Sequence, residues 1–326
     1  MTDTPAWNIE PHGDRDTTTR ALLDGALTFD PITRHGLSDH LPMALGALDG
    51  LGAPAKRLSD FFNFYAQMLV PVREEVAATR ARYERGFERD GVDATLRAHL
   101  PRLLPGIGSA AFHGVIRLAY AIEANHVGQL AAALAYWDEV FEPLSDEIPR
   151  EEDADPTALL RTLRGSPSLR VQTFEGSNIS SKMAEAATLR EFANAGGIAV
   201  ADDTLGRLAA AARALYAATG DFVALHAITG THATRVVSTF LDVDDRSRAV
   251  RYLYQAVAAA YVIIGTPPIE VASFEHAPSW DTIAIAARAS NDEHVIKIAY
   301  SAREEAAPWG DDEVYRACAA RAESLL

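Results

Sequence analysis

The sequence is poor in cysteine, and its single thiol, Cys318, excludes both a disulfide framework within the chain and any metal site built from several thiolates. We therefore expect a cytoplasmic protein. Long apolar runs are also missing, since no stretch reaches the ~18 apolar residues of a membrane span. Residues 1–20 are polar and lack the apolar segment of a signal peptide. The sequence thus predicts neither a leader nor a membrane partner.

Positive charge is scarce as well. The formal net charge is −15 and the isoelectric point is near 5.1, whereas nucleic acids and anionic membranes bind clustered lysine and arginine. This balance disfavours nucleic acid as a partner and leaves small molecules or proteins, with the oligomeric state open. The sequence contains no Gly-x-Ser-x-Gly, P-loop or His-Glu-x-x-His motif. Residues 106–111 match a dinucleotide fingerprint loosely, but Leu-Leu-Pro precedes them instead of a strand, so we interpret the match as accidental.

What is abundant is alanine, in segments whose apolar residues recur every three to four positions. This pattern predicts an all-α protein with a single large helical domain at residues 19–326. Residues 1–18 are polar and are expected to form a disordered or extended N-terminal arm, and the acidic stretch 145–156 is the best linker candidate. The predicted helices cover residues 37–51, 58–83, 93–103, 109–122, 126–142, 156–165, 179–195, 204–218, 221–241, 245–264, 281–289, 292–305 and 311–325.

Lysine is the rarest charged residue, with three copies against 27 arginines, and one of them, Lys297, lies in an apolar run three residues after His294. At 100° per helical residue the two side chains share a face. Burial can neutralise lysine but not arginine, and a neutral amine can act as a base, form a Schiff base or become an anionic carbamate. The alternative is a lysine whose stem packs while its head reaches water. We interpret Lys297 and His294 as the candidate catalytic residues.

Further histidines occupy apolar helical settings, at His40, His113, His126, and at His226 with His232. Neutral imidazole is the commonest protein metal ligand, and in helical bundles such ligands project inward from several helices. His226 and His232 are about 240° apart on a straight helix, so only one should point inward. We favour His226 because of its apolar neighbours, with His232 as the alternative. These residues predict a metal site in the interior of the domain.

The residues around His126 also match the Glu-x-x-His half-motif of di-iron carboxylate bundles, through Glu123. Such a centre needs two copies of the motif and two more inward glutamates. Only one copy is present, which disfavours a di-iron site.

Four segments carry a family pattern through their order and spacing between residues 38 and 300: Asp39-His40-Leu-Pro-Met-Ala-Leu-Gly-Ala-Leu followed by Leu51-Gly-Ala53, Phe112-His113-Gly-Val-Ile-Arg-Leu-Ala-Tyr-Ala-Ile-Glu123, Leu225-His226-Ala-Ile-Thr-Gly230, and His294-Val-Ile-Lys297. Together they resemble the questin oxidase-like family. The resemblance implies an all-helical oxygenase. Family members include fungal enzymes that oxidatively open an anthraquinone ring in polyketide biosynthesis, by chemistry described as Baeyer–Villiger-type or as iron-dependent dioxygenation.

A mononuclear iron held by four histidines and a carboxylated lysine has been described in that family. The resemblance therefore implies that the imidazole ligands are His40, His113, His226 and His294, and that carboxylated Lys297 is the oxygen ligand. This chain is shorter than the fungal members, and Arg117 stands where their pattern has a second histidine. The resemblance thus leaves the substrate open.

From these features we expect a non-heme Fe(II)-dependent oxygenase that acts with O2 on an aromatic polyketide-like or anthraquinone-like molecule, by ring cleavage or oxygen insertion. One alternative is a metal-free or NADPH-assisted Baeyer–Villiger-type monooxygenase in which the histidines are acid–base groups. The other is a non-catalytic helical protein that binds such a ligand. The aromatic residues that could line a pocket, or equally the ordinary core, are Phe61, Phe62, Phe64, Tyr65, Tyr120, Tyr136 and Trp137.

Overall fold

The computed structural model describes residues 15–148, 150, 154–269, 276–310 and 312–325. Over these ranges the chain forms sixteen α-helices and no strand, in one all-α domain, which confirms the predicted fold class. The helices are α1 (Arg15–Ala26), α2 (Leu41–Gly50), α3 (Ala55–Tyr65), α4 (Glu74–Asp90), α5 (Val92–Leu103), α6 (His113–Glu123), α7 (Val127–Glu139), α8 (Pro156–Arg164), α9 (Ile179–Ala187), α10 (Arg190–Ala195), α11 (Thr204–Thr219), α12 (Phe222–Val237), α13 (Val243–Ile263), α14 (Trp280–Ala289), α15 (Glu293–Trp309) and α16 (Asp312–Ala322).

Two predicted helices are broken in the structure. The segment predicted as one helix over 58–83 is α3 and α4, separated by a short 3-10 turn and an extended stretch that contains Pro71. Proline has no N–H to donate and disfavours a helical residue before it, so the helix cannot continue through Pro71. Instead Pro71 forms an isolated bridge with Phe29. The segment 179–195 is also divided, because Leu189 is extended and begins the separate helix α10.

The N-terminal boundary differs from the prediction too. Residues 1–14 of the predicted arm lie outside the described residues. Residues 15–18 belong to α1, so the predicted boundary of the arm at residue 18 is wrong. The first turns of α1 are rich in threonine, a residue of modest helix propensity. They contain no apolar residues at helical spacing, so the pattern of the sequence did not predict this helix. Leu22, Leu23 and Ala26 are buried and hold α1 against the core.

Four helices form the centre of the domain. Helix α6 packs on both α2 and α12, and α15 also packs on both α2 and α12. Close approach depends on glycine: a Cβ on Gly230 of α12 would lie 2.6 Å from the ring of Phe112, and one on Gly114 of α6 would lie 2.5 Å from Trp137. Elsewhere the contacts between these helices contain many buried alanines, whose small side chains let the helix backbones approach closely.

The remaining helices cover this centre. The predicted linker 145–156 lies between α7 and α8, with residues 149 and 151–153 outside the described part, and its Glu147 is paired with Arg251 of α13 at 2.7 Å. The segment is therefore tied to the domain.

Cys318 is buried in α16. None of the described helices has both the length and the apolar character that crossing a bilayer requires.

Candidate metal centre

Four histidine side chains, which we call the histidine cluster, meet inside the domain. The rings of His40 and His113 stack with their centroids 4.5 Å apart, and the centroid of His294 is 4.6 Å from that of His40. His226 completes the cluster, with its centroid 5.1 Å from that of His113 and 5.4 Å from that of His294. Ring nitrogens of His40, His113 and His294 lie within 4.8 Å of one another, so one metal ion could contact all three.

Each of these histidines stands at the N-terminal end of a different central helix. His40 is the N-cap of α2, and His113 is the first residue of α6. His226 lies one turn into α12, and His294 is the second residue of α15. Helix N-termini carry unpaired N–H groups and a partial positive charge, which favour anions. Three of these ends are already capped by side chains, because the N–H groups of Leu41, Val223 and His294 bond to Asp39, Asp221 and Asp292.

Backbone carbonyls fix the orientation of two of the rings. Nδ1 of His113 donates a hydrogen bond to the carbonyl of Ala110 at 2.6 Å, and Nδ1 of His226 donates to the carbonyl of Phe222 at 2.8 Å. In both neutral rings the lone pair is therefore on Nε2. Nε2 of His113 is buried and has no hydrogen-bond partner among the described residues. A buried acceptor of this kind needs a partner, and a metal ion would supply one.

A strained turn places the carbonyl that holds His113. Three consecutive residues before α6 have left-handed backbone angles, with φ of +47° at Ala110, +55° at Ala111 and +67° at Phe112. Side-chain-bearing residues pay roughly 1–2 kcal/mol each for this conformation, and such strain concentrates at functional sites. The turn reverses the chain so that the carbonyl of Ala110 faces the ring of His113.

Lys297 lies beside the cluster and is almost fully buried, with 1% of its surface exposed. Its Nζ is 3.3 Å from Nδ1 of His40. Burial lowers the pKa of Lys297 to about 8, so a substantial fraction of the amine is neutral near pH 8. The alternative of a lysine whose head reaches water is wrong, because the ammonium group lies inside the domain.

The same burial keeps the imidazoles neutral. It lowers the pKa of His226 to about 3 and lowers the pKa values of His40 and His113 well below their ordinary value, with nearby Lys297 adding to the effect. The pKa of His294 is also lowered, again mainly by burial. Neutral imidazoles are the form that binds metal. Imidazole donors suit iron, manganese, cobalt and zinc, so the residues present fit a transition-metal ion.

Two further residues border the cluster that the sequence analysis did not single out. Oε1 of Glu293 is 3.5 Å from Nδ1 of His40 and 3.6 Å from Nδ1 of His294. The ring of Phe222 stands edge-on to both His226 and His294, at centroid distances of 4.7 and 4.6 Å, and is half exposed. Phe222 therefore marks the side of the cluster that is nearest to solvent. The signal available in the sequence was the adjacency of Glu293 to His294.

His232, the alternative to His226, is not part of the cluster. Its Nδ1 is 3.0 Å from Oε1 of Glu305, and its Nε2 is 3.2 Å from Oε1 of Glu123. Arg235 pairs with the same oxygen of Glu305 at 2.6 Å. We call these four residues the His232 network. Burial alone would lower the pKa of His232, but the hydrogen bonds to Glu123 and Glu305 raise it to about 9. A protonated imidazole has no lone pair to offer a metal.

The other histidines and aromatic residues have separate positions. His126 caps α7 by accepting from the N–H of Gln129 and lies 3.2 Å from Asp24, away from the cluster. His35 and His276 are exposed, and His12 lies outside the described residues. Of the seven aromatic residues considered as pocket walls, Phe64 is exposed and the other six are buried.

A cavity of about 200 Å³ lies between α1, α2, α6 and α15, lined in part by Asp49, Glu123, Tyr120 and Tyr300. Tyr120 links this cavity to the centre, because its hydroxyl donates to the carbonyl of Lys297 at 3.2 Å. The histidine cluster itself does not line the cavity. The cavity is therefore a neighbouring space and not the cluster's own pocket.

Comparison with known families shows to which group of proteins this sequence belongs. The sequence model of the questin oxidase-like family matches residues 37–302, which is more than half of the chain and includes the four clustered histidines and Lys297. The chain belongs to the questin oxidase-like family. Membership in the questin oxidase-like family confirms the resemblance noted in the sequence and implies an oxidoreductase of secondary metabolism. A search of curated proteins found no match.

Proposed function

We propose that this questin oxidase-like protein is a non-heme Fe(II)-dependent oxygenase. Its substrates are O2 and an aromatic polyketide-like or anthraquinone-like molecule, and its reaction is oxidative ring cleavage or oxygen insertion. The observation that supports this most strongly is the convergence of four neutral imidazoles on a buried lysine. Such a group has no evident structural purpose, since buried polar side chains are costly unless they are paired.

In this proposal the metal is held by His40, His113, His226, His294 and the carboxylate that CO2 forms on the amine of Lys297. Bound ferrous iron would supply the one-electron chemistry that lets triplet O2 react with a closed-shell organic molecule. The protein's own contribution is positional. The carbonyls of Ala110 and Phe222 hold two rings in the tautomer that exposes Nε2.

The surroundings suit an anionic aromatic substrate. The partial positive charge of the nearby helix N-termini would favour negative charge at the cluster, as on a phenolate or on reduced oxygen. Phe222 offers an apolar ring at the solvent side, against which a planar substrate can pack. His40, His113 and His226 are buried, which keeps bulk water away from their rings and strengthens these electrostatic interactions.

Elemental analysis of the purified protein tests the metal. The wild type is expected to contain about one equivalent of iron, His294→Ala to contain almost none, and the exposed-site control His35→Ala to match the wild type. Absence of metal from the wild type, even after anaerobic addition of Fe(II), would refute the proposal. Turnover by such metal-free protein would then favour the metal-free or NADPH-assisted monooxygenase, and tight aromatic binding without oxygen uptake would favour the ligand-binding protein.

Two further measurements address the lysine and the substrate. Protein equilibrated with ¹³C-bicarbonate should give a carbamate carbon signal that Lys297→Arg lacks, because guanidinium groups do not react with CO2. Iron-loaded wild type should consume O2 when it is given hydroxyanthraquinones or their hydroquinones. A carbamate signal that persists in Lys297→Arg would remove Lys297 from the proposed ligands.

A further inference from the structure

We infer that Glu293 is an additional, exchangeable oxygen ligand of the metal centre, at its solvent side. This inference rests on the proposed function, since it assumes that the histidine cluster binds a metal. The first evidence is position: one carboxylate oxygen of Glu293 faces the Nδ1 atoms of His40 and His294 at the same time, at 3.5 and 3.6 Å.

Those two distances are too long for hydrogen bonds. Hydrogen bonds between N–H and O span roughly 2.7–3.2 Å. Two donors bonded to one ion at about 2.1 Å lie about 3.0 Å apart on an octahedral edge and about 3.4 Å apart on a tetrahedral one. The observed 3.5 and 3.6 Å exceed these separations by a few tenths of an ångström. Glu293 thus lies within a small side-chain movement of the place where a neighbouring ligand atom would stand.

The adjacent acid, Asp292, also lies 3.6 Å from Nδ1 of His294 through its Oδ1, but it has a second role and serves as a comparison. Its Oδ1 accepts hydrogen bonds from the N–H groups of His294 at 2.8 Å and Val295 at 3.3 Å, which caps α15. The Asp292 side chain is 59% exposed, whereas that of Glu293 is 23% exposed. Apart from the two histidines, the carboxylate of Glu293 forms no ion pair or hydrogen bond with the described residues, although its charge acts on Lys297. Asp292 is therefore committed to the helix, and Glu293 is available to a metal.

Charge and geometry explain why Glu293 would be exchangeable. Four imidazoles and the carbamate of Lys297 would supply five ligand atoms, and Glu293 would supply the sixth. The Glu293 side chain is 23% exposed, and the half-exposed ring of Phe222 lies against His294, so a small anion or O2 would reach the centre from this side. Glu293 would have to leave before another ligand enters. The carboxylate would hold the metal at rest and compete with incoming anions.

Cobalt(II) binding tests the inference without using turnover. We would titrate wild type, Glu293→Gln and the control Asp292→Asn with Co(II) against a chelator, then add azide and follow the visible absorption. Expected results for Glu293→Gln are a Co(II) affinity at least about tenfold weaker, an altered absorption spectrum and about tenfold tighter azide binding. Asn remains a good N-cap, so Asp292→Asn should stay within about threefold of the wild type.

The outcomes separate this inference from the proposed function. Wild type that binds no Co(II) would overturn the metal centre itself. If wild type binds Co(II) and Glu293→Gln shows the same spectrum and azide affinity, Glu293 is not a ligand, whatever the change in Co(II) affinity. A crystal structure of the cobalt-loaded wild type gives a check that needs no variant: the distance from cobalt to the carboxylate should be about 2.0–2.2 Å, and a distance beyond about 3 Å would overturn the inference.

Discussion

The stability of the metal-free protein should fall between neutral and alkaline pH because of His232. This buried ring is held between Glu305 at 3.0 Å and Glu123 at 3.2 Å, and their hydrogen bonds raise its pKa from 6.5 to about 9. A folded-state pKa above the unfolded value stabilises the protein fully below pH 6.5, and the stabilisation is lost as the pH rises through about 9. At about 1.4 kcal/mol per pH unit, the difference amounts to about 3 kcal/mol.

Urea unfolding in the presence of a chelator measures this effect. Wild type, His232→Gln and the exposed-site control His35→Gln would be compared at pH 6 and pH 9.5 by circular dichroism. The free-energy gap between wild type and His232→Gln should be about 3 kcal/mol larger at pH 6 than at pH 9.5, whereas His35→Gln should follow the wild type at both. An equal gap at the two pH values would refute the charged state that we assign to His232, because a neutral ring has no proton to lose.

Three other substitutions have defined outcomes. Lys297→Met should abolish iron binding but stabilise the chelator-treated protein below pH 8, because burial lowers the pKa of Lys297 to about 8 and makes its charged form costly; lower stability at pH 6 would contradict this. Gly230→Ala should lower the unfolding free energy by about 1–3 kcal/mol, since its Cβ would lie 2.6 Å from the ring of Phe112, whereas Gly46→Ala, with its nearest contact at 3.5 Å, should cost less than about 1 kcal/mol. Ala111→Gly should raise the melting temperature by relieving a φ of +55°, and a lower melting temperature would argue against strain in this turn.

The helical content could be predicted from the sequence because alanine and periodic apolar residues dominate the chain. The predicted helix boundaries were wrong where a single residue interrupts a helix whose apolar residues otherwise keep the helical spacing. Pro71 divides a long apolar stretch, and Leu189 is extended between α9 and α10. The helix α1 was missed because its polar first turns carry little signal, although its later residues are buried.

Most residues of the candidate site left a signal in the sequence, because histidine and lysine are unusual in apolar helical segments. The structure brings His40, His113, His226 and His294 together beside Lys297. The expectation that only one of His226 and His232 points inward is wrong, because both are buried, in separate sites. The role of the clustered residues as metal ligands stays a prediction. Glu293 was missed because acids in the first turn of a helix are common for reasons unrelated to metals. The left-handed turn before α6 was missed because its alanines and Phe112 give no indication of positive φ.

The dispersal of the cluster along the chain has a consequence for biosynthesis. His40 and Lys297 are 257 positions apart, so no nascent chain can assemble the centre until α15 has left the ribosome and docked. Metal binding to the completed cluster would tie together helices from both ends of the chain and stabilise the whole fold by mass action. Loading with metal would thus act as a check on complete synthesis, since a truncated chain ending before α15 lacks both His294 and Lys297.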